Sequence, residues 1–173
     1  MNALSNTTVL SNFASIGQLG ILQKLFSTLY IPSNVYQEIQ MGLEEGYSFY
    51  EGIDEEVYPI VSGGWIHMIT MRDEELKIFS EFLKSLHHGE ASCLAISLNR
   101  KWLLLTDDLS ARKKARQHGI TISGSIGCLV LCVERNLCSL EEANHWLCKM
   151  MEQGYRSPVT DIRPFLDNQE SGE

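Results

Sequence analysis

The sequence predicts an α/β protein with a mostly parallel central sheet, and three observations support that prediction. Short strand-like segments alternate with segments of helical apolar spacing through most of the chain, which is the pattern of βαβ crossovers. Trp102–Leu105 is a continuous apolar run, as expected for a strand that is covered on both faces. The segment before it, Glu90–Leu98, has apolar residues at the spacing of a buried helix face. In such a sheet, ligands bind beyond the carboxyl ends of the strands, so functional residues are expected there.

In the first half of the chain, the elements follow from apolar spacing and from residues that start or stop helices. Gly17 and Gly20 divide a helical run, and Ser33 or Asn34 is expected to cap the helix that follows Pro32. The expected elements are a weak strand at Ala3–Val9, the divided helix within 13–26, a strand at Leu29–Ile31, a helix with Val35 and Ile39 buried, an irregular acidic loop at 42–58 that is interpreted as solvated, a strand at Trp65–Ile69 and an amphipathic helix at Glu74–Leu86 whose apolar stripe begins at Leu76.

In the second half, the strand and helix signals are sharper. Ser139 and Glu142 have the spacing of a capping box, in which each side chain satisfies a backbone amide of the other residue. The expected elements are the helix at Glu90–Leu98, the strand at Trp102–Leu105, a basic helix at Ser110–His118, a strand at Ile120–Ile122 and helices at Gly124–Arg135 and Ser139–Gln153. We expect one domain over residues 1–157 and a loosely ordered tail over 158–173.

Composition excludes several classes of protein. The chain has 173 residues, of which 44% are hydrophobic and 21% charged, ordinary values for a globular protein. No apolar run reaches the roughly 20 residues that a membrane span needs, and the N-terminus lacks the pattern of a signal peptide. The net charge of −8 does not favour a protein that coats nucleic acid regardless of sequence. We therefore expect a cytoplasmic protein without membrane association.

The cysteines and histidines are interpreted as structural rather than metal-binding residues. Five cysteines without a CxxC motif predict reduced thiols in a cytoplasm. Cys128 and Cys132 are four residues apart, but small buried hydrophobic residues are the preferred interpretation. The pair His87 and His88 is interpreted as an exposed helix end.

Acidic and amide side chains follow the predicted strands or border buried helix faces. Asp107 and Asp108 end the clearest strand, Glu90 and Glu38 border buried stripes, and Asn6 lies near the end of the first strand. Each has a simpler interpretation: Asp108 and Asn6 as helix caps, Glu90 as a favourable charge at a helix N-terminus and Glu38 as an exposed flank. Taken together, they predict a cluster of oxygen ligands for Mg²⁺ or Mn²⁺, an ion that activates water and steadies phosphate charge.

The ordered set of motifs over residues 4–138 resembles the PIN domain family, in its branch of VapC-type toxins. The matching segments are Asn6–Leu10, Val35–Ile39, Gly89–Ser92, Leu105–Arg112, Gly119–Ile120 and Gly124–Gly127. The resemblance implies a three-layer α/β/α fold and a Mg²⁺- or Mn²⁺-dependent nuclease that acts on RNA. It also implies frequent dimers and, for the toxins, a cognate antitoxin.

The resemblance assigns site residues by position. Glu38 matches the second family acid, Glu90 the third and Asp108 the fourth, with Asp107 as a stand-in beside it. The first family acid is an aspartate, whereas this chain has Asn6. An amide oxygen can coordinate a metal but brings no charge and cannot act as a base, so metal affinity and activity are expected to fall.

Three functional hypotheses remain open from the sequence. In the first, the chain is a ribonuclease with Arg112, Thr7 and Thr106 as contacts to nucleic acid, although Arg112 also fits a solvated basic face. In the second, the chain is a PIN-fold binding module whose metal site is weakened at Asn6. In the third, it is a different α/β protein whose acids are only caps and surface charges.

Overall fold

A computed structural model gives the structure of the protein and describes residues 1–167. Its centre is a six-stranded sheet of order β3-β4-β2-β1-β5-β6, in which every strand pair is parallel. The strands are β1 (Ala3–Ser5), β2 (Leu29–Pro32), β3 (Val57–Tyr58), β4 (Ile66–Ile69), β5 (Leu103–Leu105) and β6 (Ile122–Ser123). The prediction of an α/β fold with a mostly parallel sheet is confirmed.

Helices flank the sheet and complete a three-layer α/β/α arrangement. They are α1 (Thr7–Ser15), α2 (Leu19–Phe26), α3 (Ser33–Glu44), α4 (Asp73–Phe82), α5 (His88–Arg100), α6 (Leu109–Gln117), α7 (Ser125–Glu134), α8 (Leu140–Glu152) and α9 (Arg163–Asp167). Helices α3, α4 and α6 each pack against α5, and α1, α2, α7 and α8 form a second group. These two groups are the outer layers.

The core lies on both sides of the paired strands β1 and β5. Leu4 in β1 and Leu104 and Leu105 in β5 are fully buried, and α5 is buried over most of its length. This explains why β5 reads as a continuous apolar run rather than an alternating one, since both of its faces are covered. Burial of the strands against two helix layers fixes the carboxyl edge of the sheet as a rigid platform for the residues that follow the strands.

The first strand and the next helix meet earlier than predicted. The strand predicted at Ala3–Val9 ends at Ser5, because Asn6 accepts a hydrogen bond from the Thr8 N–H at 3.1 Å and caps α1. Gly17, with φ of +70°, separates α1 from α2 as expected. The predicted division at Gly20 is wrong, because this residue lies inside α2.

Two further details of the predicted helices are wrong. Neither Ser33 nor Asn34 caps α3, because both lie inside the helix and Pro32 occupies the cap position without a side-chain hydrogen bond. Leu76 in α4 is 48% exposed, whereas Phe82, on the same predicted stripe, is buried. The capping box of Ser139 and Glu142 is confirmed by reciprocal hydrogen bonds of 2.8 and 3.1 Å.

The acidic segment after α3 is partly anchored rather than freely solvated. It contains two short 3-10 helices, Ser48–Tyr50 and Ile53–Glu56. Asp54 accepts hydrogen bonds from the Tyr36 hydroxyl and from Gln40 of α3, both at 2.9 Å. Burial of Tyr50 and Ile53 holds the segment against α1 and α3.

The last described residues pack on the domain. Ile162 is buried, and its N–H donates to Asn144 Oδ1 of α8 at 2.9 Å. The short helix α9 follows and contacts α7. The part of the expected tail at 168–173 lies outside the described residues. Within residues 1–167, no helix combines the length and the apolar character that crossing a membrane requires.

Candidate metal and nucleic-acid site

Adjacent strands bring the residues after β1 and after β5 together. The Asn6 N–H donates to the Leu105 carbonyl at 3.1 Å, which continues the β1–β5 pairing past the end of the strands. The Asn6 side-chain amide then donates to the Thr106 hydroxyl at 2.7 Å. The same hydroxyl accepts from the Asp108 N–H at 3.1 Å. These contacts link the start of α1 to the start of α6 at the carboxyl edge of the sheet.

Glu38 lies where α1, α3 and α5 meet. One carboxylate oxygen accepts from the Gly89 N–H at 3.0 Å, and the other accepts from the Thr7 hydroxyl at 3.0 Å. A Cβ at position 89 would collide with the Glu38 carboxylate, so any larger residue there would displace that carboxylate. Glu38 therefore fixes the N-terminus of α5, which carries Glu90, against the N-terminus of α1.

Glu90 is half-buried in the first turn of α5, and its charge is opposed by its surroundings. One of its oxygens accepts from the His87 N–H at 3.2 Å in a capping box. Burial raises the pKa of Glu90, and the nearby negative charges of Asp108 and then Glu38 raise it further. This is the response expected when carboxylates share a site without a cation. The charges of Asp108 and Glu38 therefore both act on the Glu90 carboxylate.

Asp108 is the N-cap of α6, as its simpler interpretation predicted. Its Oδ1 accepts from the Ala111 N–H at 2.7 Å. Among the residues that the structure describes, none donates a hydrogen bond to its other oxygen, and the same holds for Oε1 of Glu90. Capping and ion binding are compatible here, because each task uses a different carboxylate oxygen.

The donor set fits a hard divalent cation that keeps most of its water. Within residues 1–167, no group of three or more His, Cys, Asp or Glu side chains is placed to hold a metal ion. Mg²⁺ is usually held by one or two carboxylates and several waters. The uncommitted oxygens of Glu90 and Asp108 meet that requirement, and their mutual repulsion is what a cation relieves.

Asn6 is less suited to a ligand role than its position suggests. Its side-chain oxygen accepts from both the N–H and the hydroxyl of Thr8, at 3.1 and 2.7 Å. Its simpler interpretation as a cap is confirmed by the α1 N-cap geometry. The residue is 2% exposed, so its amide acts inside the protein and holds Thr8 and Thr106 in place.

The carboxylate of Asp107 is engaged by a different set of residues from the carboxylate of Glu90. Its carboxylate accepts from the N–H and hydroxyl of Ser125 at 2.9 and 2.5 Å, from Asn12 at 3.0 Å and from the Tyr155 hydroxyl at 3.3 Å. Burial and this carboxylate together raise the pKa of Tyr155. A Cβ at Gly124 would collide with Asp107. Asp107 therefore joins β5 to the start of α7 and to the C-terminal segment.

The three residues that were predicted to contact nucleic acid differ in burial and in their hydrogen-bond partners. Thr106 is fully buried, and within residues 1–167 its hydroxyl accepts hydrogen bonds from the Asn6 amide and the Asp108 N–H. Thr7 is half-buried and donates to Glu38. Arg112 Nη1 donates to the carbonyls of Thr106 and Ser123 at 2.8 and 3.1 Å, which holds the guanidinium at the carboxyl ends of β5 and β6.

Two cavities lie beside the acidic residues. The larger, of about 990 Å³, is lined by Asp107, Asp108 and Arg112 together with apolar side chains, and the smaller, of about 350 Å³, is lined by Glu38 and an aromatic group. Both lie at the carboxyl edge of the sheet, where ligands of open α/β sheets bind.

Several residues around the site were not found from the sequence. Asn12, Ser125 and Tyr155 complete the Asp107 network but are ordinary polar residues at distant positions. The aromatic residues Tyr47 and Phe49 line the smaller cavity. In the sequence, these two rings stand out only as aromatic residues in an acidic, glycine-rich segment. Because that segment has no helical or strand periodicity, the sequence does not predict which way the rings face.

Comparison with known proteins gave one result. The family model DUF3368, described as a PIN domain, matches residues 2–171. A search of curated proteins found none that matches the chain.

Proposed function

Because the chain belongs to the PIN domain family, we propose that it is a divalent-metal-dependent ribonuclease whose ion is held by Glu90 and Asp108. PIN domains are generally nucleases and generally use divalent metals. The observation that carries the proposal is that Glu90 and Asp108, at the starts of α5 and α6, each keep one carboxylate oxygen to which no described residue donates. An uncompensated carboxylate pair at a ligand-binding edge is a candidate functional site on physical grounds.

The proposed roles follow from which oxygens are already engaged. Glu90 and Asp108 each keep one oxygen for Mg²⁺ or Mn²⁺, which would activate water and stabilise phosphate charge. Glu38 accepts hydrogen bonds from Gly89 and Thr7 and is proposed to add negative potential that favours cation binding. Asn6 is proposed as a positioning residue.

RNA is proposed as the substrate, with Arg112 as its phosphate contact. Arg112 lines the larger cavity beside Asp108, and only its Nη1 donates to described residues. Its remaining N–H groups suit a phosphate, which accepts paired hydrogen bonds from a guanidinium. Thr7 and Asp107 are proposed to position the helices that border this phosphate.

We extend the proposal to a cytoplasmic toxin with a cognate antitoxin. The motifs at Gly89–Ser92 and Leu105–Arg112 support this setting by resemblance, and the free state of all five cysteines fits a reducing compartment. An antitoxin arginine is expected to enter the carboxylate pair, because its planar fork suits two acids. Expression of the native chain should arrest growth, and Glu90→Gln should not.

The direct test is cleavage of an RNA pool with Mg²⁺ or Mn²⁺. We expect Glu90→Gln and Asp108→Asn to lose at least about 100-fold in rate, because a bound ion contributes several kcal/mol to transition-state stabilisation. Glu142→Gln is the matched control, since Glu142 makes the same capping-box contact at the start of α8. If the native chain cleaves no RNA with either ion, the proposal fails.

A second candidate, a binding module without catalysis, is supported by one observation. The side-chain oxygen of Asn6 is engaged by Thr8, so the chain has a neutral, committed group at the position of the first family acid. In this candidate, Asn6→Asp creates metal binding and cleavage that the native chain lacks. Tight Mn²⁺ binding by the native chain argues against it.

A further inference from the structure

The smaller cavity beside Glu38 is walled by aromatic rings. Tyr47, Phe49 and Tyr50 line it, with ring centroids 5.7 Å apart for Tyr47 and Phe49 and 4.6 Å apart for Phe49 and Tyr50. Two of these rings pack directly on α3 at Gly42, where a Cβ would lie 3.2 Å from the Tyr47 ring and 3.3 Å from the Tyr50 ring. Three rings therefore border one cavity of about 350 Å³.

The charged groups of this cavity are all negative. Glu38 and Glu45 line it, and the described residues of its wall include no lysine, arginine or histidine. Within residues 1–167, neither carboxylate forms an ion pair. The C-terminus of α3 adds to the negative potential, because helix C-termini favour cations and this one has no basic residue in its last turn. The protein thus surrounds the cavity with charge that it does not itself neutralise.

The cavity runs from a buried floor to an exposed mouth. Tyr50 is 5% exposed and Glu38 is half-buried, whereas Met41 and Tyr47 are exposed. Burial raises the pKa of the Tyr50 hydroxyl to about 12, and the negative charge of Glu38 adds to this rise. Glu45 is at the C-cap of α3, two helical turns and about 10 Å beyond Glu38. The cavity therefore has one carboxylate towards its floor and another towards its mouth.

An organic cation with an aliphatic stem matches both the charge and the walls of this cavity. An ammonium group is attracted by carboxylates and by the faces of aromatic rings, and an aliphatic stem packs on rings and on the thioether of Met41. A neutral apolar ligand would leave both carboxylates without a partner. Mg²⁺ would gain little from the rings, because it prefers oxygen ligands and retains its water.

We propose that the smaller cavity is a binding site for an alkylammonium group, held between Glu38 and Glu45 against the aromatic wall. A free diamine and a lysine side chain both carry this chemistry, and a diamine can place one ammonium group near each carboxylate. Glu90 and Asp108 do not line this cavity. The inference therefore goes beyond the proposed nuclease function and does not depend on it.

The test is titration of the native chain with the diamine cadaverine, followed by heteronuclear NMR with a chelator present. We expect saturable shifts in the amide signals of residues 41–50, which include most of the cavity wall. Pentanol has the same aliphatic stem without the charge. Cadaverine should bind at least about ten-fold more tightly than pentanol, because each cation contact with a ring or a carboxylate contributes a few-fold in affinity.

Two neighbouring glutamates provide a matched pair of variants. Glu45 lines the cavity, whereas Glu44 is exposed and does not line it. Glu45→Gln should weaken cadaverine binding about three-fold, the loss expected for one exposed ion pair. Glu44→Gln should bind cadaverine as the native chain does, which controls for the change in net charge.

The aromatic wall is tested by variants that keep or remove one ring. Tyr47→Ala should weaken cadaverine binding about three-fold, as expected when an exposed cation–π contact is lost. Tyr47→Phe keeps the ring and should bind as the native chain does. Tyr58→Ala is the control for loss of an exposed ring, because Tyr58 is 44% exposed and does not line the cavity.

Three results would overturn the proposal: no saturable shifts with cadaverine, equal binding of pentanol and cadaverine, or native-like binding by both Glu45→Gln and Tyr47→Ala. Acetyl-lysine methylamide separates the two sources of the ligand. Tighter binding of this compound than of cadaverine assigns the site to a lysine side chain, and weaker binding assigns it to a free diamine. Glu90→Gln should bind cadaverine normally, so the amine site and the proposed Mn²⁺ site can fail independently.

Discussion

Two glutamates in this protein are buried to different degrees, and the more buried one is the more acidic. Glu75 is fully buried, which by itself would raise its pKa. Hydrogen bonds from Arg100, from the Arg72 N–H and from Asn99 outweigh burial and lower the pKa of Glu75 to about 2. Glu90 is only half-buried, yet its pKa is raised.

The two pKa values shift in opposite directions because Glu75 has a cationic partner, Arg100. Arg100 donates to Glu75 from Nε at 2.6 Å and from Nη2 at 2.8 Å, so the protein itself supplies the opposite charge. Among the described residues, only the His87 N–H donates to Glu90, and burial together with the charge of Asp108 outweighs the lowering effect of His87 on the Glu90 pKa. We call a carboxylate compensated when the protein itself supplies an opposite charge, and such a group stabilises the fold. An uncompensated carboxylate is a candidate ligand for an external ion.

The largest expected effect is on stability, from breaking the compensated pair. Arg100→Met should lower the free energy of unfolding by about 3–5 kcal/mol, because it leaves a buried charge without a partner. The lost contact between Arg100 and the Trp102 ring, at 5.0 Å, adds to this cost. The measurement is urea-induced unfolding.

The exposed pair Lys84–Glu81 provides the control for Arg100→Met. Its side chains are 71% and 70% exposed, so Lys84→Met should cost less than about 1 kcal/mol. Equal costs for the two substitutions would show that the Glu75 contact does not depend on burial.

The next largest effect is expected for Asp107→Asn, which should lower stability without removing Mn²⁺ binding. Asp107→Asn should lower the free energy of unfolding by about 1–3 kcal/mol, because hydrogen bonds from Ser125 and Asn12 to a charged acceptor are lost. Mn²⁺ affinity should stay within a few-fold of native. Loss of Mn²⁺ binding in a folded Asp107→Asn protein would make Asp107 a ligand.

Local sequence patterns identify some of the acids at the carboxyl edge of the sheet but not their separate roles. The strand-end rule singled out Asp108, and the apolar spacing of the helices singled out Glu38 and Glu90, because strand position and periodicity are encoded locally. The strand-end rule could not separate Asp107 from Asp108, since both end the same strand. Their roles differ through contacts with residues far along the chain, such as Ser125.

The sequence predicts the capping role of Asn6 but not its contact with Thr106. Its amide is oriented by Thr106, one hundred residues away, and no local pattern encodes that contact. The Glu75–Arg100 pair was missed for the same reason, because its partners lie on different helices.

The smallest expected effect is a pH dependence of opposite sign for the two glutamates. The pKa of Glu90 is raised on folding, so ionisation destabilises the metal-free protein as pH rises above the ordinary glutamate pKa. Glu90→Gln should therefore raise stability at pH 7 by less than about 1 kcal/mol, because solvent screens a half-exposed site. The gain should vanish near pH 4.

Ionisation of Glu75 should instead stabilise the protein as pH rises. Its lowered pKa stabilises the fold above the ordinary glutamate pKa, and that contribution is lost as pH falls towards about 2. Urea unfolding in chelator between pH 7 and 3 measures both trends. Slopes of the same sign for Glu75→Gln and Glu90→Gln, each relative to native, would contradict the assignment of compensated and uncompensated acids.

The central claim is that the pair Glu90 and Asp108 holds a divalent cation that the protein does not itself replace. Mn²⁺ titration followed by electron paramagnetic resonance counts the bound ions directly. The account predicts saturable binding to the native chain and to Glu142→Gln, and loss of that binding in Glu90→Gln. A native chain that binds no Mn²⁺, or a Glu90→Gln protein that binds it as tightly as native, would contradict the claim.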